Sequence, residues 1–77
     1  MSAVDAVRKI QRAISLQDRA ITTTRELARA VAQQSDPEAQ DQAGRLAEVL
    51  RLLDRKVVLH ERQRVVLEET RGEILSG

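Results

Sequence analysis

The chain of 77 residues has one clear break, at Gln33-Gln34-Ser35-Asp36-Pro37-Glu38. Asp36 is a favoured helix N-cap, and proline is tolerated at the first helical position, where its missing N–H would have no partner inside the helix. Read one residue earlier, Ser35 and Glu38 have the spacing of a capping box. The residue before a proline is also pushed out of the helical region, so a preceding helix must end there. Both alignments predict a turn at about residues 35–36 and a helix that starts at about residue 37.

Upstream of this break, the apolar periodicity predicts one helix over about residues 3–34. Small and apolar side chains recur at alternating spacings of four and three, the heptad pattern of a helix packed along one seam. The seam positions are Ala3, Val7, Ile10, Ile14, Gln17, Ile21, Thr24, Ala28 and Val31. A second row of residues follows seven-residue spacing beside this seam: Ala6, Ala13, Ala20 and Leu27. Its small side chains predict that a second neighbouring helix approaches closely. Three consecutive β-branched residues at 22–24 leave a kink open as an alternative.

Downstream, the same spacing predicts a second helix over about residues 37–72. Its seam positions are Ala39, Ala43, Leu46, Leu50, Leu53, Val57, His60, Arg64, Leu67, Arg71 and Ile74. The seam is apolar as far as Val57 and is interrupted by polar side chains at His60, Arg64 and Arg71. Gly72 is expected to mark the frayed or capped end of this helix.

Two helices joined by a short turn form a long antiparallel hairpin, so the predicted fold class is all-α, with a single domain over residues 1–77. The turn position sets the register of the two helices. The expected facing pairs are Ile14 with Val57, Ile10 with His60, and Val7 with Arg64. In this register Ile74 and Leu75 extend past the first helix and have no partner within the chain.

Apolar residues also lie off the seam of the second helix. Leu52, Leu59 and Val66 follow one another at seven-residue spacing, and Val58 and Val65 lie beside them. So wide an apolar arc is typical of a helix that is covered on more than one side. One seam between two rods buries little apolar surface, and a chain without Cys has no disulfide to add stability. We therefore expect the hairpin to pair into a four-helix bundle or to join a larger helical assembly. The expected partner interface is Leu52, Val58, Leu59, Val65, Val66, Ile74 and Leu75.

The composition argues against catalytic chemistry. There is no Cys, Phe, Trp or Tyr, which excludes thiol nucleophiles, thiolate metal sites and aromatic stacking platforms. The segment His60-Glu61-Arg62-Gln63-Arg64 begins like the zinc-protease helix motif, but Arg64 stands where the second His is required. With one His and no Gly-rich phosphate loop, we expect no enzyme activity, catalytic residue, metal, cofactor or small-molecule substrate. His60 is expected to be a partly buried packing residue, with a pH-responsive interface group as the alternative.

Arg8, Arg12 and Arg19 form a basic face on the first helix, opposite its seam. The simplest interpretation is a solvated face with local pairs such as Asp5 with Arg8 or Lys9. A net charge of +1 gives the whole molecule no strong field. The alternatives are that two such faces in a dimer bind the phosphates of a nucleic acid, or that the face binds an acidic protein.

A chain of this length with Ser35-Asp36-Pro37 between two helices resembles the needle and inner-rod subunits of type III secretion systems. This resemblance implies a small subunit of a secretion apparatus. The aromatic and Asn-rich segments typical of the second helix of that family have no counterpart in this sequence. In size and topology the hairpin is also similar to plasmid-encoded RNA-binding dimers built from helical hairpins, which implies RNA binding. The aromatic RNA-contact residue of that family has no counterpart either.

The sequence therefore predicts a non-enzymatic helical interaction protein, such as an assembly factor, a chaperone-like adaptor or a subunit of a larger helical complex. Its expected partner is itself, as a homodimer or higher oligomer, or helices of another protein; nucleic-acid binding is the alternative. The longest apolar run, Val57-Val58-Leu59, is far shorter than the roughly 20 residues that a membrane span needs. With no signal-peptide profile in the first residues, a cytoplasmic location without a membrane partner is expected. The excess of Arg over Lys favours a bacterial source.

Overall fold

The computed structural model describes residues 2–33 and 40–77, with the backbone alone for 40–43. Two helices make up this part of the chain: α1 (Ala3–Gln33) and α2 (Gln40–Ser76). They pack against each other as an antiparallel hairpin, which confirms the predicted all-α fold. The predicted turn at Ser35–Asp36 and the predicted helix start at Pro37 lie outside the described residues. The hairpin is a rod of 59 × 15 × 14 Å.

Ser2 is the N-cap of α1. Ser2 Oγ accepts a hydrogen bond from the backbone N–H of Asp5 at 3.2 Å and donates one to Asp5 Oδ2 at 3.0 Å. The Asp5 carboxylate is thereby held in the first turn, where its negative charge suits the positive end of the helix dipole. The expected local pairs of Asp5 with Arg8 or Lys9 do not form.

α2 continues past Gly72 and ends at Ser76, so the predicted end near residue 72 is wrong. Neither Gly72 nor any other glycine of the described residues has a positive φ. Without a left-handed residue, the chain has no Schellman or αL cap at Gly72, and the helix runs on. A final backbone hydrogen bond joins the N–H of Gly77 to the carbonyl of Glu73 at 3.0 Å.

The seam predicted from the heptad pattern is the surface along which the helices pack. Ile14, Ile21, Thr24 and Val57 are buried. All the other described seam positions from Val7 onward are half-buried. Thr24 is 6% exposed within an unbroken α1, so the run of β-branched residues does not end the helix. The core is narrow: among the described residues, no large side chain is completely buried.

The register of the two helices differs from the predicted one. Arg64 was expected to face Val7 but pairs with Asp18, with 2.9 Å between Nε and Oδ1. Arg71 was expected to lie past the end of α1 but its Nη1 donates to Gln11 Oε1 at 2.6 Å. α2 is therefore shifted along α1 by about two to three helical turns relative to the predicted alignment.

The observed register changes the position of the last residues of α2. Ile74 lies one turn beyond Arg71, which puts it level with the first turns of α1 rather than past them. It is half-buried, whereas Leu75 is 68% exposed. The prediction that both residues overhang α1 is therefore wrong: Leu75 lies at nearly the same level as Ile74 but on the outer face of α2.

Polar seam residues account for the register. An apolar heptad seam fits its partner almost equally well after a shift of one repeat, so apolar matching cannot choose between the two alignments. In the observed register Gln17 lies against His60 and Gln63 and forms a hydrogen bond with each of them. In the predicted register His60 would lie against Ile10, which offers no hydrogen-bond partner.

Candidate functional site

Charged side chains close one side of the hairpin, which we call the charged edge: Asp18, Arg25, Glu61, Arg64 and Glu68. Arg25 Nη2 donates to Glu61 Oε1 at 2.8 Å. Arg64 Nε lies 2.9 Å from Asp18 Oδ1 and 3.2 Å from Glu68 Oε1, as ion pairs without hydrogen-bond geometry. These side chains are 40–61% exposed, so each pair contributes at most about 1 kcal/mol. They mark this side of the hairpin as one that faces water.

The opposite side is apolar and exposed, and we call it the open face. It comprises Ala13, Leu16, Ala20 and Leu27 of α1 and Val49, Leu52, Leu59 and Val66 of α2. On both helices these residues follow three-and-four spacing, like a second seam beside the first. Leu16 is 60% exposed, Leu59 53% and Val66 59%. Monomeric proteins rarely expose a continuous apolar stripe of this length.

Two grooves lie along the open face. The first, of about 400 Å³, is lined by Leu16, Arg19, Ala20, Thr23, Thr24, Lys56 and His60. The second, of about 470 Å³, is lined by Ala13, Gln17, Arg62, Gln63, Val66 and Leu67. Both grooves are shallow clefts between helical ridges, which suits them to receive the ridges of another helix rather than to enclose a small molecule.

A third groove, of about 430 Å³, lies on the side of the charged edge. It reaches Leu50 and Leu53 at its base, but Arg25, Asp54 and Glu61 surround it. A partner helix that docked there would have to remove these charged groups from water. This groove is therefore a poorer docking site than the two on the open face.

Gln17, His60 and Gln63 form a polar cluster between the seam and the open face. Gln17 Nε2 donates to Gln63 Oε1 at 2.9 Å. Gln17 Oε1 is then left as an acceptor, so His60 Nδ1 carries the proton and donates to it. His60 Nε2 is shielded from solvent and has no hydrogen-bond partner among the described residues. His60 is half-buried, as expected. In addition to packing in the seam, it holds Gln17 through this hydrogen bond.

The predicted interface residues do not all lie on one surface. Leu52, Leu59 and Val66 belong to the open face. Val58 and Val65 lie farther round α2, beside a groove lined also by Arg62 and Glu69. The remaining two predicted residues, Ile74 and Leu75, lie at the end of the rod.

Sequence reasoning missed Leu16 of α1 and Val49 of α2, whereas Leu27 was already part of the second line of α1. Leu16 is the most exposed of the three. The position of Leu16 in the sequence could have identified it, because it follows Ala13 by three residues and precedes Ala20 by four. Residues at these spacings share one helix face, so the line of alanines could have been extended to Leu16.

The predicted basic face is fully on the surface. Arg8, Arg12 and Arg19 are exposed, and none of the three forms an ion pair or hydrogen bond within the described part of the chain. Arg8 and Arg12 line a small cleft of about 250 Å³ with Asp5 and Lys9. Arg19 instead borders the first groove of the open face. The three arginines therefore border two different clefts of the surface.

Across residues 2–33 and 40–77, no three His, Asp or Glu side chains come together as candidate metal ligands. Neither of the described helices is long and apolar enough to cross a membrane. No protein-family model, curated protein or solved structure matches the chain.

Proposed function

We propose that the protein is a non-enzymatic helical interaction protein that binds its partner by apolar helix–helix packing. Its accessible surface carries this proposal. The chain of 8.6 kDa exposes 6256 Å², whereas a folded monomer of this mass exposes about 4,700 Å². Among the described apolar residues only Ile14, Ile21 and Val57 are buried. A partner that covers the open face would supply the burial that the hairpin lacks.

Three roles share this mechanism: assembly factor, chaperone-like adaptor and subunit of a larger helical complex. A needle- or rod-type secretion subunit is the special case in which the same contacts repeat to form an open filament. Electron microscopy separates the cases, because an open assembly gives filaments that lengthen with concentration. A closed complex gives particles of one size at all concentrations.

The test is far-UV circular dichroism during dilution. If folding depends on association, the helical signal and the thermal midpoint both fall as the protein is diluted from about 100 μM to about 1 μM. A chain that is weakly helical at all these concentrations would assign the open face to helices of another protein. A chain that keeps its full helix content and an unchanged midpoint would overturn the proposal.

Nucleic-acid binding through Arg8, Arg12 and Arg19 is the second candidate, supported by the unpaired state of their guanidinium groups. Two such faces in a dimer would contact about six phosphates, so affinity for an RNA duplex would fall about 10³-fold between 50 and 200 mM salt. Apolar packing should change little over this range. Filter binding with labelled RNA measures the difference, and a variant with all three arginines changed to Gln should lose the binding.

A further inference from the structure

We infer that the open face binds a second copy of this chain. The two hairpins form a four-helix bundle in which α1 of each copy runs antiparallel to α2 of the other. This inference rests on the proposed function and adds to it the partner, the contact surface and the orientation. It places Leu16 and Leu59 in the interface and leaves Val58 and Val65 in solvent.

The area that two copies would bury matches that of a stable dimer. Two separate hairpins expose twice 6256 Å², whereas one folded protein of twice the mass exposes about 7,800 Å². The difference, about 4,700 Å², lies within the range of obligate homodimers. A second hairpin presents the same rod length and the same two grooves, so it covers the open face from end to end. A single foreign helix would cover only one row of it.

The two sides of the hairpin differ in what a partner would have to displace. At the charged edge a partner would break the ion pair of Arg25 with Glu61 and desolvate both groups. On the open face it would meet Ala13 and Ala20, whose small side chains let a second helix approach closely. It would also meet large apolar side chains that are already half exposed to water. Arg19, Lys56 and Arg62 also border the grooves of the open face, but they form no ion pair within the described residues that a partner would break. The burial gain is therefore greater on the open face, and no ion pair is lost there.

The inferred orientation places opposite charges side by side. Within one chain Gln11 lies level with Arg71 and Gln17 with Gln63. A two-fold axis along the rod keeps these levels, so α1 lies beside the α2 of the other copy in the same alignment. Arg12 then faces the partner's Glu69, and Glu26 faces the partner's Arg55. Arg19 near the partner's Arg62 is the one like-charged pair along this row.

The other symmetric arrangement runs α1 antiparallel to the α1 of the second copy. Centred on the middle of α1, near residue 19, it places Arg12 against the partner's Glu26 and Arg19 against the partner's Arg19. Opposite charges therefore meet in both arrangements, and the distance between the ends of the two α2 helices distinguishes them.

Pulsed electron paramagnetic resonance tests the orientation. The chain has no Cys, so Gly77→Cys gives a single site for a spin label at the end of α2. In the inferred bundle both labels lie at the same end, within about 30 Å, because neighbouring helix axes are about 8–10 Å apart. Labels separated by nearly the rod length of 59 Å would overturn the orientation. The proposed function would survive that result.

Two neighbouring substitutions test the contact surface. Leu59→Glu puts a charge on the open face, whereas Val58→Glu puts the same charge on the adjacent, similarly exposed position outside it. We expect Leu59→Glu to weaken dimerisation at least tenfold by light scattering, since the charge loses its water in the interface. Val58→Glu should leave the dimer unchanged. The reverse result, or dimers in both variants, would overturn the assignment of this face.

A charge reversal tests the pairing of the two copies without disturbing the seam inside each hairpin, because Arg12 and Glu69 are both exposed. Arg12→Glu should weaken the dimer about three- to tenfold by placing two like-charged pairs across the interface. Adding Glu69→Arg should restore it. Failure of the restoration would overturn the inferred pairing while leaving the proposed function intact. A folded wild-type monomer would overturn both.

Discussion

At the residue scale, hydrogen bonds among three side chains determine how the helices align. Gln17, His60 and Gln63 occupy positions in or beside the seam where an apolar residue would pack equally well. The sequence predicts that His60 is partly buried, because its seam position follows from spacing. It does not reveal the partner of His60, because Gln17 is 43 residues away and a heptad seam permits more than one register.

Replacing Gln17 and His60 together should keep the stability of the hairpin but remove its preference for one register. In Gln17→Leu/His60→Leu the seam becomes apolar, so the free energy of unfolding should stay constant or rise by about 1 kcal/mol. The register should lose its uniqueness, because the bonds that choose it are gone. Two sets of amide resonances in proton–nitrogen NMR spectra would report two registers.

The exposed pair at the charged edge supplies the control. Arg25→Gln/Glu61→Gln removes an ion pair without touching the seam. It should cost less than about 1 kcal/mol and keep one set of resonances. A single set of resonances in Gln17→Leu/His60→Leu would show that the polar cluster does not fix the register.

At the element scale, the sequence predicts the two helices and the faces along which they pack, but not the C-terminal end of α2. Heptad spacing is local, so it identifies the described seam positions from Val7 to Val31 and from Leu46 to Ile74. A helix end depends on whether a residue adopts a left-handed conformation. Gly72 permits that conformation but does not require it, and the structure continues in helical geometry to Ser76.

Gly72 therefore weakens α2 from within. A Cβ built on it meets nothing within 4 Å. Gly72→Ala should raise the free energy of unfolding by about 0.5–1 kcal/mol, because alanine loses less backbone entropy in a helix. Urea unfolding followed by circular dichroism measures the change. Gly77→Ala, beyond the end of α2, is the control and should give no gain; a destabilising Gly72→Ala would place the helix end at residue 72 after all.

At the scale of the whole molecule, the sequence predicts a partner but does not indicate on which side of the hairpin it would bind. Leu52, Leu59 and Val66 are too many apolar residues for one seam, which the sequence shows directly. Val58 and Val65 are their immediate neighbours and equally apolar. Only the packing of α1 against α2 shows that Val58 borders the groove at the charged edge, with Arg25 and Glu61, whereas Val66 borders a groove of the open face.

The molar mass of the purified protein in solution is the most direct test of the account. Light scattering with refractive-index detection is the suitable method, because a chain without Trp or Tyr barely absorbs at the usual wavelength. The open face predicts a helical particle of twice the chain mass of 8.6 kDa. A fully helical particle of 8.6 kDa would contradict the account, because it would show that the hairpin is stable with its open face in water.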